Sequence, residues 1–232
     1  MSSTVISIAG ARPNTAAYEA EAVRLLNPHK DNLPGQVGRL LLHTCCAPCA
    51  EYPLALLRDT CGIEPVAYFN NPNIHPRAEY EKRLDTLREF AGMKNLRLIA
   101  AGHPDEAKWR GFTSKIKIDH CRICYASRFE ATCAYAAAEG YQTVASTLFV
   151  SPYQQQDLMR SVLLAACRRH GLYFLDLDFA AGFRQGQAMA RADGLYRQKY
   201  CGCIYSLGET SFRDKLLKRF NLTLADLPVR EV

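Results

Sequence analysis

From Val37 onward, short apolar runs alternate with longer stretches of helical period. Arg39-Leu40-Leu41-Leu42-His43, Pro65-Val66-Ala67-Tyr68-Phe69, Leu96 to Ala101, Val144 to Leu148 and Tyr173 to Phe179 read as short strands bounded by turn residues. Between them lie helical stretches. Pro48 suits a first helical turn, and Cys49 to Thr60 continues it until Gly62. A second helix starts near Pro76, carries Tyr80, Leu84 and Leu87 with a set of i,i+4 charges, and ends near Gly92. Cys121 to Glu139 is helical, with Gly140 as its stop. Ser151-Pro152-Tyr153-Gln154 reads as a helix start, with Ser as N-cap, Pro at N1 and Gln at N3, and that helix runs to His170-Gly171. Ser211 to Phe220 is a last basic helix. Strands alternating with helices predict an α/β fold with a mostly parallel sheet.

Residues 1–37 break this rhythm. Pro13, Asn14, Asn27-Pro28 and Asn32-Leu33-Pro34-Gly35 punctuate them, and AAYEAEAVRLL suits one short helix. We read this segment as an N-terminal extension and residues 38–232 as a single α/β catalytic domain.

The topology predicts where chemistry lies, since open α/β sheets bind ligands beyond the carboxyl ends of their strands. Cys45 and Cys46 follow the first strand, Asn71 and His75 the second, and Thr147 and Ser151 a later one. These loops should share one edge. The first loop, His43-Thr44-Cys45-Cys46-Ala47-Pro48-Cys49, has no glycine to let backbone approach a phosphate, which argues against ATP binding there.

Ten cysteines are the compositional anomaly of the 232-residue chain. The rest is ordinary for a soluble globular protein, with 48% hydrophobic and 22% charged residues. The start lacks a basic region followed by an apolar one, so no secretory signal is read, and no apolar run approaches the ~18 residues of a membrane span. A reducing, cytoplasmic compartment is expected, where many cysteines mean metal or redox chemistry. Seven fall in three groups: Cys45-Cys46-Ala47-Pro48-Cys49, Cys121-Arg122-Ile123-Cys124 and Cys201-Gly202-Cys203. Packing gains nothing from such adjacency. Cys61, Cys133 and Cys167 stand alone and read as buried hydrophobes, with Cys133 half a turn away from Cys124.

Four thiolates suit zinc or an iron–sulfur cluster. Cys121 and Cys124 face one side of a helix and are expected to open it, where free N–H groups and the dipole, with Arg122 and Arg128, stabilise thiolates. The side chains of Cys45 and Cys46 diverge in extended chain, which favours a larger cluster, or a site in a sharp turn, over one small ion. Cys201-Gly202-Cys203 offers a two-electron dithiol–disulfide couple or two further ligands, and Gly202 gives the backbone freedom a small ring needs. The formal charge is +6, from 29 Lys and Arg against 23 Asp and Glu. Lys108-Trp109-Arg110, Lys115, Lys117, Arg168-Arg169 and Arg197-Gln198-Lys199-Tyr200 set cations beside aromatics, which makes RNA a plausible partner.

In order along residues 40 to 206, LLHTCCAPCAEYPL, YFNNPNIHPRAEYEKR, CRICYASR, STLFVSPYQ and LYRQKYCGCIYS resemble the motifs of the cobalamin-independent epoxyqueuosine reductases. One departure is Asn70, where the family has Tyr before Asn-Pro-Asn. The resemblance implies reduction of epoxyqueuosine to queuosine at the tRNA wobble position, the last step of queuosine synthesis. It implies a [4Fe–4S] cluster on Cys45, Cys46, Cys121 and Cys124, and a redox-active disulfide at Cys201 and Cys203. It also implies an additional iron ion, for which Cys49 and Asp119 are the nearest spare ligands. A proton donor is needed, and His75, Asp119, His120 and Tyr125 are the nearby candidates. The expected partners are the tRNA anticodon loop and an electron donor, with no membrane. The expected fold is then a mostly parallel sheet with helices on both faces, a nucleotide-hydrolase-like three-layer core. Two other classes stay open: a metal-free thiol–disulfide oxidoreductase and a zinc-stabilised RNA-binding module.

Overall fold

The computed structural model describes residues 4–5, 24–26, 37–111 and 117–228, with side chains from 37–111 and 119–228. The N-terminal strands β1 (Thr4–Val5) and β2 (Arg24–Leu26) are followed by β3 (Leu40–His43), α1 (Ala47–Ala55), β4 (Val66–Phe69), α2 (Arg77–Met93), β5 (Leu98–Ala100), α3 (Glu106–Arg110) and α4 (Lys117–Ala138). The chain continues through β6 (Thr143–Ser146), α5 (Gln156–His170), β7 (Tyr173–Asp176), α6 (Phe183–Ala192), α7 (Ile204–Glu209) and α8 (Arg213–Phe220).

The sheet order is β1-β2-β7-β6-β3-β4-β5. The five strands from β7 to β5 are parallel, with Leu41 opposite Val66 on one side and Val144 on the other. At the β7 edge, β2 adds antiparallel, with Leu25 opposite Leu175. The expected helix in AAYEAEAVRLL lies mostly outside the described residues, and its last three residues are the strand β2.

Crossovers between parallel strands are right-handed. The chain leaves β3 toward β4 and β5, which puts α1 and α2 on one face. It returns from β5 to β6 and then to β7, which puts α4 and α5 on the other. The expected α/β core with helices on both faces is therefore observed. The order reverses between β3 and β6, the point beyond whose carboxyl ends open α/β sheets bind ligands. Leu40, Leu41, Leu42, Val144 and Phe174 fill the sheet interior, with Phe129 of α4 and Met159 and Leu163 of α5 packed in the same core.

Several boundaries differ from the sequence reading. The helix expected from Ser151 begins at Gln156, because the chain first makes a 3-10 turn over Thr147–Val150 and a second turn after Ser151. The helix expected from Cys121 begins at Lys117. The sequence reading assigns no element to Phe183–Ala192, yet α6 forms there and packs on α1, where a side chain on Gly182 would strike the Tyr52 ring. No helix of the described residues is long and apolar enough to cross a membrane.

Candidate metal and thiol site

The first cysteine group sits where β3 gives way to α1. Cys46 is the N-cap, in extended conformation with φ −172° and ψ 163°, and Pro48 lies in the first turn, where a missing N–H costs nothing. Pro53, inside the same helix, has no N–H to give the carbonyl of Cys49. This turn brings the sulfurs of Cys45 and Cys46 to 3.7 Å. The ligand atoms of Cys45, Cys46 and Cys49 all lie within 4.8 Å of one another, so the three can hold a metal ion. The expectation that adjacent thiols diverge is corrected here. The chain bends into a helix at Cys46, and the geometric preference for a larger cluster over one ion goes with it.

All three thiols are buried, and burial alone would keep each protonated. Hydrogen bonds from Cys46 and Cys49 push Cys45 well below the usual thiol range. Cys46 is pushed up, chiefly by burial, and Cys49 by its bonds to the other two. Cys45 is thus the thiol of the three that its neighbours favour for ionisation. Further donors face these sulfurs. The Gln198 amide N–H group reaches Cys46 Sγ at 2.9 Å and Cys49 Sγ at 3.5 Å. Thr147 Oγ1 accepts the Cys45 N–H at 3.2 Å and lies 3.6 Å from its sulfur. That contact links the end of β3 to the turn after β6.

The second group lies on α4. Because the helix starts four residues before Cys121, the thiols are not at its free N–H groups, and the expected dipole stabilisation is absent. Burial prevails and pushes the Cys124 thiol up to about 12. Arg128 does come close, with Nη1 3.8 Å from Cys124 Sγ. Its Nη2 donates to Asn71 Oδ1 at 2.6 Å, and Asn71 Nδ2 donates to the Thr44 carbonyl at 3.0 Å. Arg128 thereby ties the loops after β3 and β4 to α4. It is only 2% exposed, its Nε has no partner, and no carboxylate pairs with it among the described residues. The thiols of Cys124, Cys45 and Cys201 act on it, as does the buried His43. A buried cation needs compensating negative charge. The thiols of Cys124, Cys45 and Cys201 are the nearby groups that would supply it on ionising.

The third group is held from α2. Arg83 Nη1 donates to the Cys201 carbonyl at 2.9 Å and Nη2 to the Tyr200 carbonyl at 3.0 Å, while Nε pairs with Glu79 at 2.8 Å. Both charged residues are buried, at 2% and 0% side-chain exposure. His75 N–H donates to the Gly202 carbonyl at 2.7 Å, and the Tyr200 hydroxyl donates to the His75 carbonyl. Gly202 has φ +125°, and a Cβ there would lie 2.9 Å from Arg83 Nη1. Glycine is therefore required by both backbone and space. Cys203 caps α7, its sulfur accepting the Ser206 N–H at 3.4 Å. Gln154 Nε2 reaches Cys201 Sγ at 3.3 Å. No disulfide joins any of the ten cysteines, and Cys201 alone among them is exposed.

The loops that the sequence assigns to one edge do meet there. Of the proton-donor candidates, His75 is buried and its ring is held neutral by burial. His120 is buried and stacks on Tyr205 at 4.0 Å. The Tyr125 hydroxyl donates to Gln154 Oε1 at 2.8 Å, one link from Cys201. Asp119 stands in the first turn of α4, half-buried, two residues before Cys121. Cys133 lies away from the site, its sulfur 3.8 Å from Cys167 in the α4–α5 interface, and Cys61 is buried on its own, so the three single cysteines pack as expected.

Sequence reasoning missed Gln198, Arg83, Glu79 and the central position of Arg128. The i,i+4 spacing of Glu79 and Arg83 was visible, but it reads as solvated helix surface. The aromatics expected to stack on bases fail for a simpler reason: Trp109 is 3% exposed and Tyr200 8%. Lys115 and the side chain of Lys117 lie outside the described residues.

The sequence model of a family described as "Epoxyqueuosine reductase QueH" matches residues 40–209. Three proteins of that description are among its relatives. The one from Dehalococcoides mccartyi is 36% identical over 169 residues, covering 72% of this chain and 92% of the relative. That from Streptococcus pyogenes is 32% identical, covering 72% of this chain and 69% of the relative. That from Acinetobacter baylyi is 30% identical, with 78% and 86% covered.

Proposed function

Since the chain belongs to the epoxyqueuosine reductase QueH family, we propose that it reduces epoxyqueuosine to queuosine at the wobble position of tRNA, the last step of queuosine synthesis. The family carries an oxidoreductase role. The observation that supports the finer reading is Arg128, a buried cation faced by thiols of all three cysteine groups and by no carboxylate among the described residues. Ionised thiols would offset this buried cation, and ionised is the state in which they bind metal. The donor set fits an iron–sulfur group: Cys45, Cys46, Cys121 and Cys124 would hold a [4Fe–4S] cluster, with Cys49 and Asp119 toward an additional iron ion. Such a group, when bound, supplies one-electron transfer and a Lewis-acidic iron for an epoxide oxygen.

The residues of the chain account for the rest. Opening the epoxide to an alkene with loss of oxygen as water takes two electrons and two protons. The dithiol of Cys201 and Cys203 carries both when it closes to a disulfide, so epoxide plus dithiol balances alkene, water and disulfide. An external electron donor then reopens it. Arg83 and His75 hold that loop through its carbonyls at Tyr200, Cys201 and Gly202, and Gln154 orients the exposed Cys201. Tyr125, Asp119, His120 and His75 are the proton-donor candidates. Thiol chemistry of this kind belongs in a reducing cytoplasm.

The compactness of Cys45, Cys46 and Cys49 supports a second reading, a single ion such as zinc in a non-catalytic RNA-binding module. Anaerobic purification separates the two: brown protein with iron and acid-labile sulfide supports the reductase, and colourless protein with zinc the module. The function itself is tested by nucleoside analysis of tRNA from a strain deleted for this gene. Epoxyqueuosine should accumulate and queuosine vanish; unchanged queuosine overturns the proposal.

A further inference from the structure

The large hydrophobic side chains exposed among the described residues are Met93, Tyr153, Phe212 and Leu224, at 51%, 82%, 41% and 62%. Exposing an aromatic ring to water is unfavourable, and a ring left in that position beside a reactive group points to something that covers it. Both aromatic residues in this set are linked to the Cys201 segment through one neighbouring residue, Gln154 for Tyr153 and Lys199 for Phe212. Tyr153 directly precedes Gln154, whose amide lies 3.3 Å from Cys201 Sγ. Its ring meets Phe183 at 85° with centroids 5.8 Å apart, a contact that leaves most of the ring open. On the other flank, Lys199 stands two residues before Cys201, with its ammonium 5.2 Å from the Phe212 ring. Thr210 joins them, accepting the Phe212 N–H at 3.3 Å and donating to the Lys199 carbonyl at 2.8 Å. Lys199 and Arg184, the neighbour of Phe183, are both exposed and make no ion pair among the described residues.

We infer that Tyr153 and the Phe212–Lys199 pair form a stacking rim around Cys201 that takes the unpaired nucleotides flanking the reacting nucleoside. An open aromatic ring offers a face to any base, and free cations take the phosphates between bases. The inference rests on the tRNA reading above and replaces Trp109 and Tyr200, which are buried, as its stacking residues. Each exposed ring has a cation close by: Lys199 lies over Phe212, and Arg184 follows Phe183, whose ring meets Tyr153. An acidic peptide would use the cations and leave the rings bare.

The test is binding of an RNA stem-loop with an unmodified anticodon-type loop, read by fluorescence anisotropy, against a fully paired duplex of the same stem. Tyr153→Ala should weaken stem-loop binding roughly 5- to 150-fold, the range a lost base stack gives, and Tyr153→Phe should leave it within about twofold. Phe212→Ala should weaken it in the same direction. Lys199→Gln should lower the slope of log affinity against log salt by about 0.7, and Tyr153→Ala should not change it. Duplex binding should be indifferent to Tyr153. Wild-type-like affinity in Tyr153→Ala, or equal losses on stem-loop and duplex, overturns the rim while the reductase reading stands. A wild-type protein that binds no stem-loop overturns both. Since Tyr153 is a surface residue, an unchanged thermal midpoint identifies a folded variant.

Discussion

At the residue scale the site is a matter of charge. Cys45 is the thiol of the first group that its hydrogen bonds favour for ionisation, and Arg128 supplies a buried positive charge. Gln198 presents N–H groups to Cys46 and Cys49 and has no partner for its own Oε1, so its orientation is set by the sulfurs. Cys201 and Cys203 differ from these residues. Cys201 is exposed, and Cys203 is bonded to Ser206 at the start of α7. Neither belongs to the tight group of Cys45, Cys46 and Cys49. Their partition into redox machinery makes a prediction. Cys203→Ser should keep its iron and its tRNA binding, while turnover with a chemical reductant falls sharply because the dithiol couple is gone. Iron analysis and a product assay on one preparation check this. Purification without iron would make these residues ligands.

At the element scale, α4 carries the second cysteine pair within the helix itself, and α2 holds the Cys-Gly-Cys loop through Arg83. The buried pair of Glu79 and Arg83 joins α2 to the backbone of the Cys-Gly-Cys loop, and the Tyr196 hydroxyl donates to Glu79 at 2.8 Å. Removing one partner of such a pair strands the other charge. Arg83→Met should lower unfolding stability by about 3–5 kcal/mol in urea titration, and adding Glu79→Leu should recover part of the loss. A loss of under 1 kcal/mol in the single variant would mean the pair is solvated. On α4, Cys121 and Cys133 share a helix and have different fates. Cys121→Ser should lose most bound iron, since an incomplete thiolate set does not hold a cluster. Cys133→Ser should retain it, because that sulfur faces Cys167 in the α5 interface. Iron-to-protein ratios of the two variants decide the matter, and equal retention removes Cys121 from the ligand set.

On the scale of the whole molecule, the formal charge of +6 and the exposed cations at the Cys201 rim predict that tRNA binding falls steeply with salt, through counterion release at several phosphates. A titration from low to moderate salt should give a linear log–log plot of negative slope, and a flat one would make a free nucleoside the better substrate. The alternation of strands and helices, the ligand-binding edge at the strand ends, the cysteine groups and Gly202 were all legible along the chain. Each depends on local period, turn chemistry or residue identity, which neighbours in sequence carry. Which groups meet was not legible. Arg83 reaches Tyr200 across 117 positions, and Gln198 reaches Cys46 across 152. A Glu–Arg pair at i,i+4 looks the same in water and in a core, and a tryptophan among lysines looks the same exposed and buried. Burial is set by what the rest of the chain packs on top. The sequence by itself determined the strands, the helices and the chemistry available at their ends. Only the tertiary structure decided which thiols meet, which buried cation they face, and which aromatic rings face the solvent near the Cys201 segment.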